Sequence, residues 1–159
     1  MMLQLVLALL FLLDLSVAEQ CKVDLKTSCI ATCSNDTTID ISSLFEYPLN
    51  ISSYYSYLWS PCSPITCRQG DPYNIAVCQK ADQYYNCGEY RDPVYILQQR
   101  DPFMFRIEYP NGDDWRISIF TFTVTEEEPQ TKITFLTEDP GLQYNFQVTG
   151  KCIGQPRCK

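Results

Sequence analysis

Phe103-Met104-Phe105-Arg106-Ile107-Glu108-Tyr109, followed by Asn111-Gly112 and then Trp115-Arg116-Ile117-Ser118-Ile119, is the stretch that decides the fold. Phe103, Phe105, Ile107 and Tyr109 alternate with Met104, Arg106 and Glu108, so a strand here packs one face and wets the other. Asn-Gly between two such runs is the strongest short-range signal for a tight hairpin turn. The return strand carries a conflict of parity. Ile117 and Ile119 share one face while Phe120, Phe122 and Val124 share the other, which demands either a bulge or burial of both faces.

Outward from this hairpin the same grammar continues. Ser53 to Trp59, rich in Tyr and closed by Pro61, reads as a strand, as do Tyr73 to Gln79 and Val94 to Gln98. Tyr144, Phe146 and Val148 share one face of a last strand, which points Tyr144 inward. Short strands broken by Pro, Gly, Asn and Asp indicate an all-β sandwich or barrel. The chain shows no internal repeat and no low-complexity linker. Residues 19–38, with Cys21, Cys29 and Cys33, read as a Cys-rich lead-in to a β-domain over 39–159.

Residues 1–18 read as a secretory signal peptide: Leu3 to Leu13 is almost wholly apolar, and Ser16-Val17-Ala18 supplies the small residues of a cleavage site. The run is too short to span a bilayer, and no later segment is apolar enough for a membrane helix. About 140 residues remain, enough for one domain with a real core. Nine Cys imply a disulfide framework built in an oxidising compartment. The sequons Asn35-Asp36-Thr37 and Asn50-Ile51-Ser52 fit the same route and mark Asn35 and Asn50 as N-glycosylation candidates. A net charge of −7 without basic clusters argues against nucleic acid and anionic membranes as partners. The chain has no His, which removes the usual general base, the Ser-His-Asp triad and His-based zinc sites.

Gln79, Arg116, Glu138 and Tyr144 stand out as an amide, a guanidinium, a carboxylate and a phenol. Sugar hydroxyls both donate and accept, and this set offers a pure acceptor, pure donors and two groups that do both. The surrounding words are Ile39-Asp40-Ile41-Ser42-Ser43-Leu44, Tyr55-Ser56-Tyr57-Leu58-Trp59-Ser60-Pro61-Cys62, Ala76-Val77-Cys78-Gln79-Lys80, Tyr109-Pro110-Asn111-Gly112-Asp113 and Tyr144-Asn145-Phe146. In this order and spacing the chain, from Ile39 to Cys152, resembles the mannose-6-phosphate receptor homology (MRH) family of lectins. The resemblance implies a flattened β-barrel of two sheets with a sugar at one end. It implies that Gln79 and Arg116 bind the 2-hydroxyl of mannose and its neighbours. Glu138 then accepts from the 3- and 4-hydroxyls, and Tyr144 closes the same edge. By the same analogy Cys67 pairs with Cys78, Cys62 with Cys29 or Cys33, and Cys152 with nearby Cys158. Cys87 is unplaced, and the odd total leaves one thiol that is free, buried or available for a covalent dimer.

The sequence departs from many family members where Asp113-Asp114-Trp115 and Asp139 to Gln143 lack a pair of Cys, and where Val124 stands in place of another. Asp113 and Asp114 repel a phosphate. The reading is therefore a secretory-pathway lectin for unphosphorylated, high-mannose glycans, secreted or in a secretory or endolysosomal lumen, with no metal and no cofactor. If Glu138 accepts as a carboxylate, binding weakens as acid protonates it. The alternative is a sugar-silent interaction or regulatory subunit that binds a protein. An enzyme is disfavoured: a glycosidase needs two carboxylates across the scissile bond, and Glu126-Glu127-Glu128 reads as a solvated turn before Pro129. Trp59 and Trp115 are the residues able to stack on a sugar face, although a Trp in a β-domain is more often core.

Overall fold

The computed structural model describes residues 18–24, 26–44, 47–71, 74–128, 130–151 and 153–154. The stretch read as a signal peptide lies outside them apart from Ala18, and the expected Cys152–Cys158 bond lies outside them entirely.

The architecture is all-β, with two sheets facing each other. The smaller sheet is an antiparallel meander of β4 (Leu49–Ser52), β5 (Ser56–Trp59), β6 (Ile75–Lys80) and β7 (Tyr84–Glu89). The larger has eight strands: β1 (Glu19–Val23), β2 (Ile30–Thr32), β3 (Thr38–Asp40), β8 (Val94–Arg100), β9 (Phe103–Tyr109), β10 (Ile117–Val124), β11 (Lys132–Glu138) and β12 (Gln143–Gly150). Its order is β11-β12-β10-β9-β8-β1-β2-β3. The last strand wedges between β10 and β11, parallel to the first and antiparallel to the second. That insertion places Tyr144 beside Ser118 on one flank and Glu138 on the other.

The alternation seen in sequence sets the core. Phe105, Ile107 and Tyr109 are buried, and Arg106 and Glu108 pair with each other on the opposite face. The parity conflict in β10 is resolved without a bulge: its register with β9 and β12 is continuous. Ser118, Phe120 and Phe122 point inward, and Ile117 and Ile119 take the half-covered outer face. Aromatic rings then join the sheets. Trp59 stacks on Phe120 with centroids 3.9 Å apart, and Phe120 stacks on Phe146 at 4.4 Å. Burial of such large rings supplies roughly 1.5–3 kcal/mol each. Where the sheets close on one another, a Cβ at Gly88 would lie 2.5 Å from the Tyr109 carbonyl oxygen, so only glycine admits this approach of β7 to β9.

Two sequence expectations change. Asn111-Gly112 is not a two-residue turn. Gly112 is extended, Asn111 takes the positive φ (62°), and the connection runs on through a one-turn 3-10 segment, Asp113–Trp115. The physical cause is local hydrogen bonding: the Gly112 amide donates to the Arg116 carbonyl, and the Arg116 amide donates to the Asp113 carbonyl. The Cys-rich segment is likewise not a separate lead-in. β1 pairs with β8, β2 and β3 extend the same sheet, and the boundary drawn between residues 38 and 39 falls inside β3. Cys29 is bonded to Cys62, Cys67 to Cys78 and Cys21 to Cys33, so Cys29 rather than Cys33 is the partner of Cys62. No helix among the described residues is long and apolar enough to cross a membrane.

Candidate functional site

At the end of the barrel formed by the β4–β5 and β6–β7 tips and the β9–β10 and β11–β12 connections, the core turns polar. Gln79 lies directly opposite Tyr57 on one side and Tyr85 on the other, so all three share the inner face of the small sheet. From the large sheet, Glu138 lies opposite Tyr144, and Arg116 stands just before β10.

A continuous hydrogen-bonded chain crosses between the sheets. Gln79 Nε2 donates to the Tyr57 hydroxyl at 3.1 Å. The Tyr144 hydroxyl donates to Gln79 Oε1 at 3.4 Å and accepts from Arg116 Nε at 3.0 Å. Arg116 Nη1 donates to the Asp113 carbonyl at 3.1 Å and to Asp114 Oδ2 at 3.0 Å. The Tyr85 ring lies under the guanidinium, its centroid 4.3 Å from Cζ, in a cation–π contact. Gln79, Arg116 and Tyr144 are 3%, 8% and 1% exposed, and Glu138 opens to solvent.

Two β-bulges shape this layer. In β11 the register shifts between Phe135 and Thr137, making Leu136 the extra residue. Strict alternation puts Glu138 on the face opposite Phe135; the bulge returns it to the face of Phe135 and Tyr144. In β7 the shift falls between Asn86 and Gly88, which makes Cys87 the extra residue. Bulges re-aim side chains in this manner beside functional sites. Cys87 is fully buried against the Tyr144 hydroxyl and the Gln79 backbone. Burial pushes its thiol up to about 12, outweighing the nearby Arg116 charge and the Tyr144 hydrogen bond. A neutral thiol sealed in this way is neither nucleophilic nor reachable by another chain, so the covalent dimer that an odd Cys allows does not run through Cys87.

Burial also raises the Tyr57 hydroxyl to about 12 and the Tyr144 hydroxyl further. Both phenols are therefore neutral donors and acceptors. Burial works against the charge of Arg116, but the Tyr144 hydrogen bond and the Asp114 carboxylate outweigh it and hold the guanidinium charged. The loop behind Arg116 is strained. Asp114 and Trp115 both have positive φ, 52° and 66°. Asp tolerates that region, whereas for a bulky residue such as Trp it costs on the order of 1–3 kcal/mol. A Cβ at Gly112 would lie 2.6 Å from the Asn86 carbonyl oxygen, so the loop is also pressed onto β7, where Asp113 accepts from the Asn86 amide.

All four residues singled out in the sequence thus converge: Gln79, Tyr144 and Arg116 in one chain, with Glu138 across the strand from Tyr144. Tyr57, Tyr85, Cys87 and Asp114 join them, residues the sequence did not place among the binding four. The signal for Tyr57 was its parity with Trp59 on a strand next to that of Gln79. Among the described residues no group of His, Cys, Asp and Glu has the arrangement of a metal site.

No protein-family model matches the chain, and none of the curated proteins matches it in sequence. Among solved structures it is similar to chicken IGF2R domain 11, with a TM-score of 0.59 over 86% of this chain and 98% of that one, at 18% identity. At that identity the likeness shows the fold, and the fold is that of an MRH domain.

Proposed function

We propose that this MRH-fold chain is a non-catalytic lectin of the secretory pathway that binds mannose of unphosphorylated, high-mannose N-glycans through Gln79, Arg116, Glu138 and Tyr144. The observation that carries the reading is the unspent hydrogen-bonding capacity of the polar layer. Among the described residues Arg116 spends Nε and Nη1 within the protein and keeps the N–H groups of Nη2. Gln79 keeps one N–H and one lone pair. The Glu138 carboxylate accepts nothing from the described residues. Donors on one wall and acceptors on the other match a pair of neighbouring sugar hydroxyls. An epimer that misplaces one hydroxyl leaves a buried group unpaired and loses affinity by roughly 1–3 kcal/mol.

Electrostatics favour a neutral sugar over a phosphorylated one. The Arg116 charge is already paired with Asp114, and Asp113, Glu138 and Asp139 stand at the same end. Three disulfides suit an oxidising secretory or extracellular compartment, with glycans on Asn35 and on the exposed Asn50 of β4.

A glycan array probed with the oxidised protein beside Glu138→Gln and Arg116→Ala tests this reading. Binding to mannose-terminated glycans, lost in both variants, supports it; well-folded protein that binds no mannose glycan overturns it. A second reading draws on one observation: Gln79, Arg116 and Tyr144 are already joined to each other and almost fully covered. A polar layer linked across the sheets in this way also pins them in a unique arrangement. In that reading the chain is a sugar-silent module whose partner is a protein.

A further inference from the structure

The β9–β10 loop holds an indole in the open, next in the chain to Arg116. Trp115 is 89% exposed, and among the described residues its side chain has no hydrogen bond and no ring contact. Bulky apolar side chains normally gain by folding back onto the protein. Here the backbone prevents it: two consecutive non-glycine residues, Asp114 and Trp115, are held at positive φ. The brace is specific. Arg116 Nη1 grips both the Asp113 carbonyl and the Asp114 carboxylate, and Asp113 is tied to the Asn86 amide. The residue that braces the loop is therefore the guanidinium that also bonds the Tyr144 hydroxyl.

We propose that Trp115 is a second saccharide subsite, whose indole stacks on the apolar face of the sugar next to the one held by Gln79, Arg116, Glu138 and Tyr144. The proposal rests on the lectin reading and deepens it: the ligand is an oligosaccharide of at least two units. Its place supports it, because Trp115 immediately precedes Arg116 on the loop that Arg116 braces. Chemistry supports it as well. A pyranose presents a face of C–H groups that packs on an aromatic ring, and a rigid, pre-positioned Trp provides that area with little entropy left to lose. The neighbouring carboxylates of Asp113 and Asp114 select a neutral unit at this position rather than an anionic one.

Calorimetric titration of methyl α-mannoside and of an α-linked mannobiose decides the matter. It is run on the wild type, on Trp115→Asn, which suits a positive φ, and on Trp115→Phe, which keeps a ring. The preference for mannobiose over the monosaccharide is expected to fall by about 2- to 10-fold in Trp115→Asn and to be partly restored in Trp115→Phe. Fluorescence gives a second readout. The chain has only two Trp, and Trp59 is buried, so mannobiose is expected to shift the emission of the exposed indole. Equal preference in the wild type and Trp115→Asn, with an unmoved emission, overturns the subsite and leaves the lectin reading standing. Failure of the wild type to bind either sugar overturns both.

Discussion

The middle of the barrel and its polar end are built from the same strands, two residues apart, with opposite chemistry. In the middle, Trp59 of β5, Val77 of β6, Phe120 of β10 and Phe146 of β12 fill the space between the sheets. One step along each strand, on the same face, stand Tyr57, Gln79, Ser118 and Tyr144. Phe135 and Glu138 make the same change across the Leu136 bulge. A single polar residue at the end of a core is ordinary. Five strands changing together, two in one sheet and three in the other, make a polar layer in which the buried polar groups Gln79, Ser118 and Tyr144 find their partners on other strands. Ser118 shows the rule at work: fully buried, it donates to the Cys87 carbonyl at 2.8 Å.

The comparison is broken most forcefully in the apolar layer. Phe146→Ala removes a ring stacked on Phe120 and set edge-on to Tyr57, and is expected to cost about 3–5 kcal/mol in urea denaturation. One step along the same strand, Tyr144→Phe keeps the ring and removes only the hydroxyl. That hydroxyl accepts from Arg116 Nε and donates to Gln79 Oε1, so the expected cost is about 1–3 kcal/mol, set by the groups left unpaired. A Tyr144→Phe cost near zero would mean that the polar layer is solvated rather than part of the core.

Alkaline titration sharpens the contrast in a different way. Cys87 is raised in the folded state from 9.0 to about 12, and Tyr57 from 10.0 to about 12. A folded pKa above the unfolded one gives stability that is full below the unfolded value and is lost as pH rises through the folded value. Stability is therefore expected to fall from about pH 9 toward 12, by up to about 1.4 kcal/mol per pH unit for each titrating group. In Cys87→Ala the decline begins near pH 10, where the buried phenols Tyr57, Tyr95, Tyr109 and Tyr144, all raised by burial, contribute. Denaturant melts at stepped pH check this. A decline in Cys87→Ala that still begins near pH 9 would remove the thiol from the layer.

How much of this was legible in the sequence depends on what each feature rests on. The core face of β9 follows from strict alternation, a property of the strand alone, and the structure buries Phe105, Ile107 and Tyr109 as that pattern requires. Tyr144 is inward for the same reason. Glu138 is different. Alternation from Phe135 sends it outward, and only the register shift at Leu136, a property of the pair β11–β12, returns it to the site. Cys87 is hidden by the same kind of event in β7. Asn111-Gly112 misleads because the tight-turn signal is local, whereas the longer connection is held by Arg116 and by Asn86 of another strand. Gln79, Arg116, Glu138 and Tyr144 were found together through resemblance; none of their separations along the chain encodes a contact.

Glu138→Gln is expected to have the smallest effect on stability and is the most discriminating change. Glu138 is exposed, ends its strand, and has no hydrogen bond or ion pair among the described residues, so nothing in the fold rests on its charge. The amide has nearly the same shape, and the expected change in unfolding free energy is within about 0.5 kcal/mol. Its hydrogen-bonding character does change, because one acceptor oxygen becomes a donor that meets the sugar's hydroxyl protons with protons of its own. Mannose-glycan affinity in the same sample is therefore expected to fall by roughly 10-fold or more, the worth of one charge-assisted hydrogen bond. Unchanged stability with lost binding separates the site from the layer that supports it. Unchanged stability with unchanged mannose binding would remove Glu138 from the site, whereas no mannose binding by either protein would leave Tyr57, Gln79, Tyr144 and Arg116 as a structural pin between the sheets and favour the sugar-silent reading.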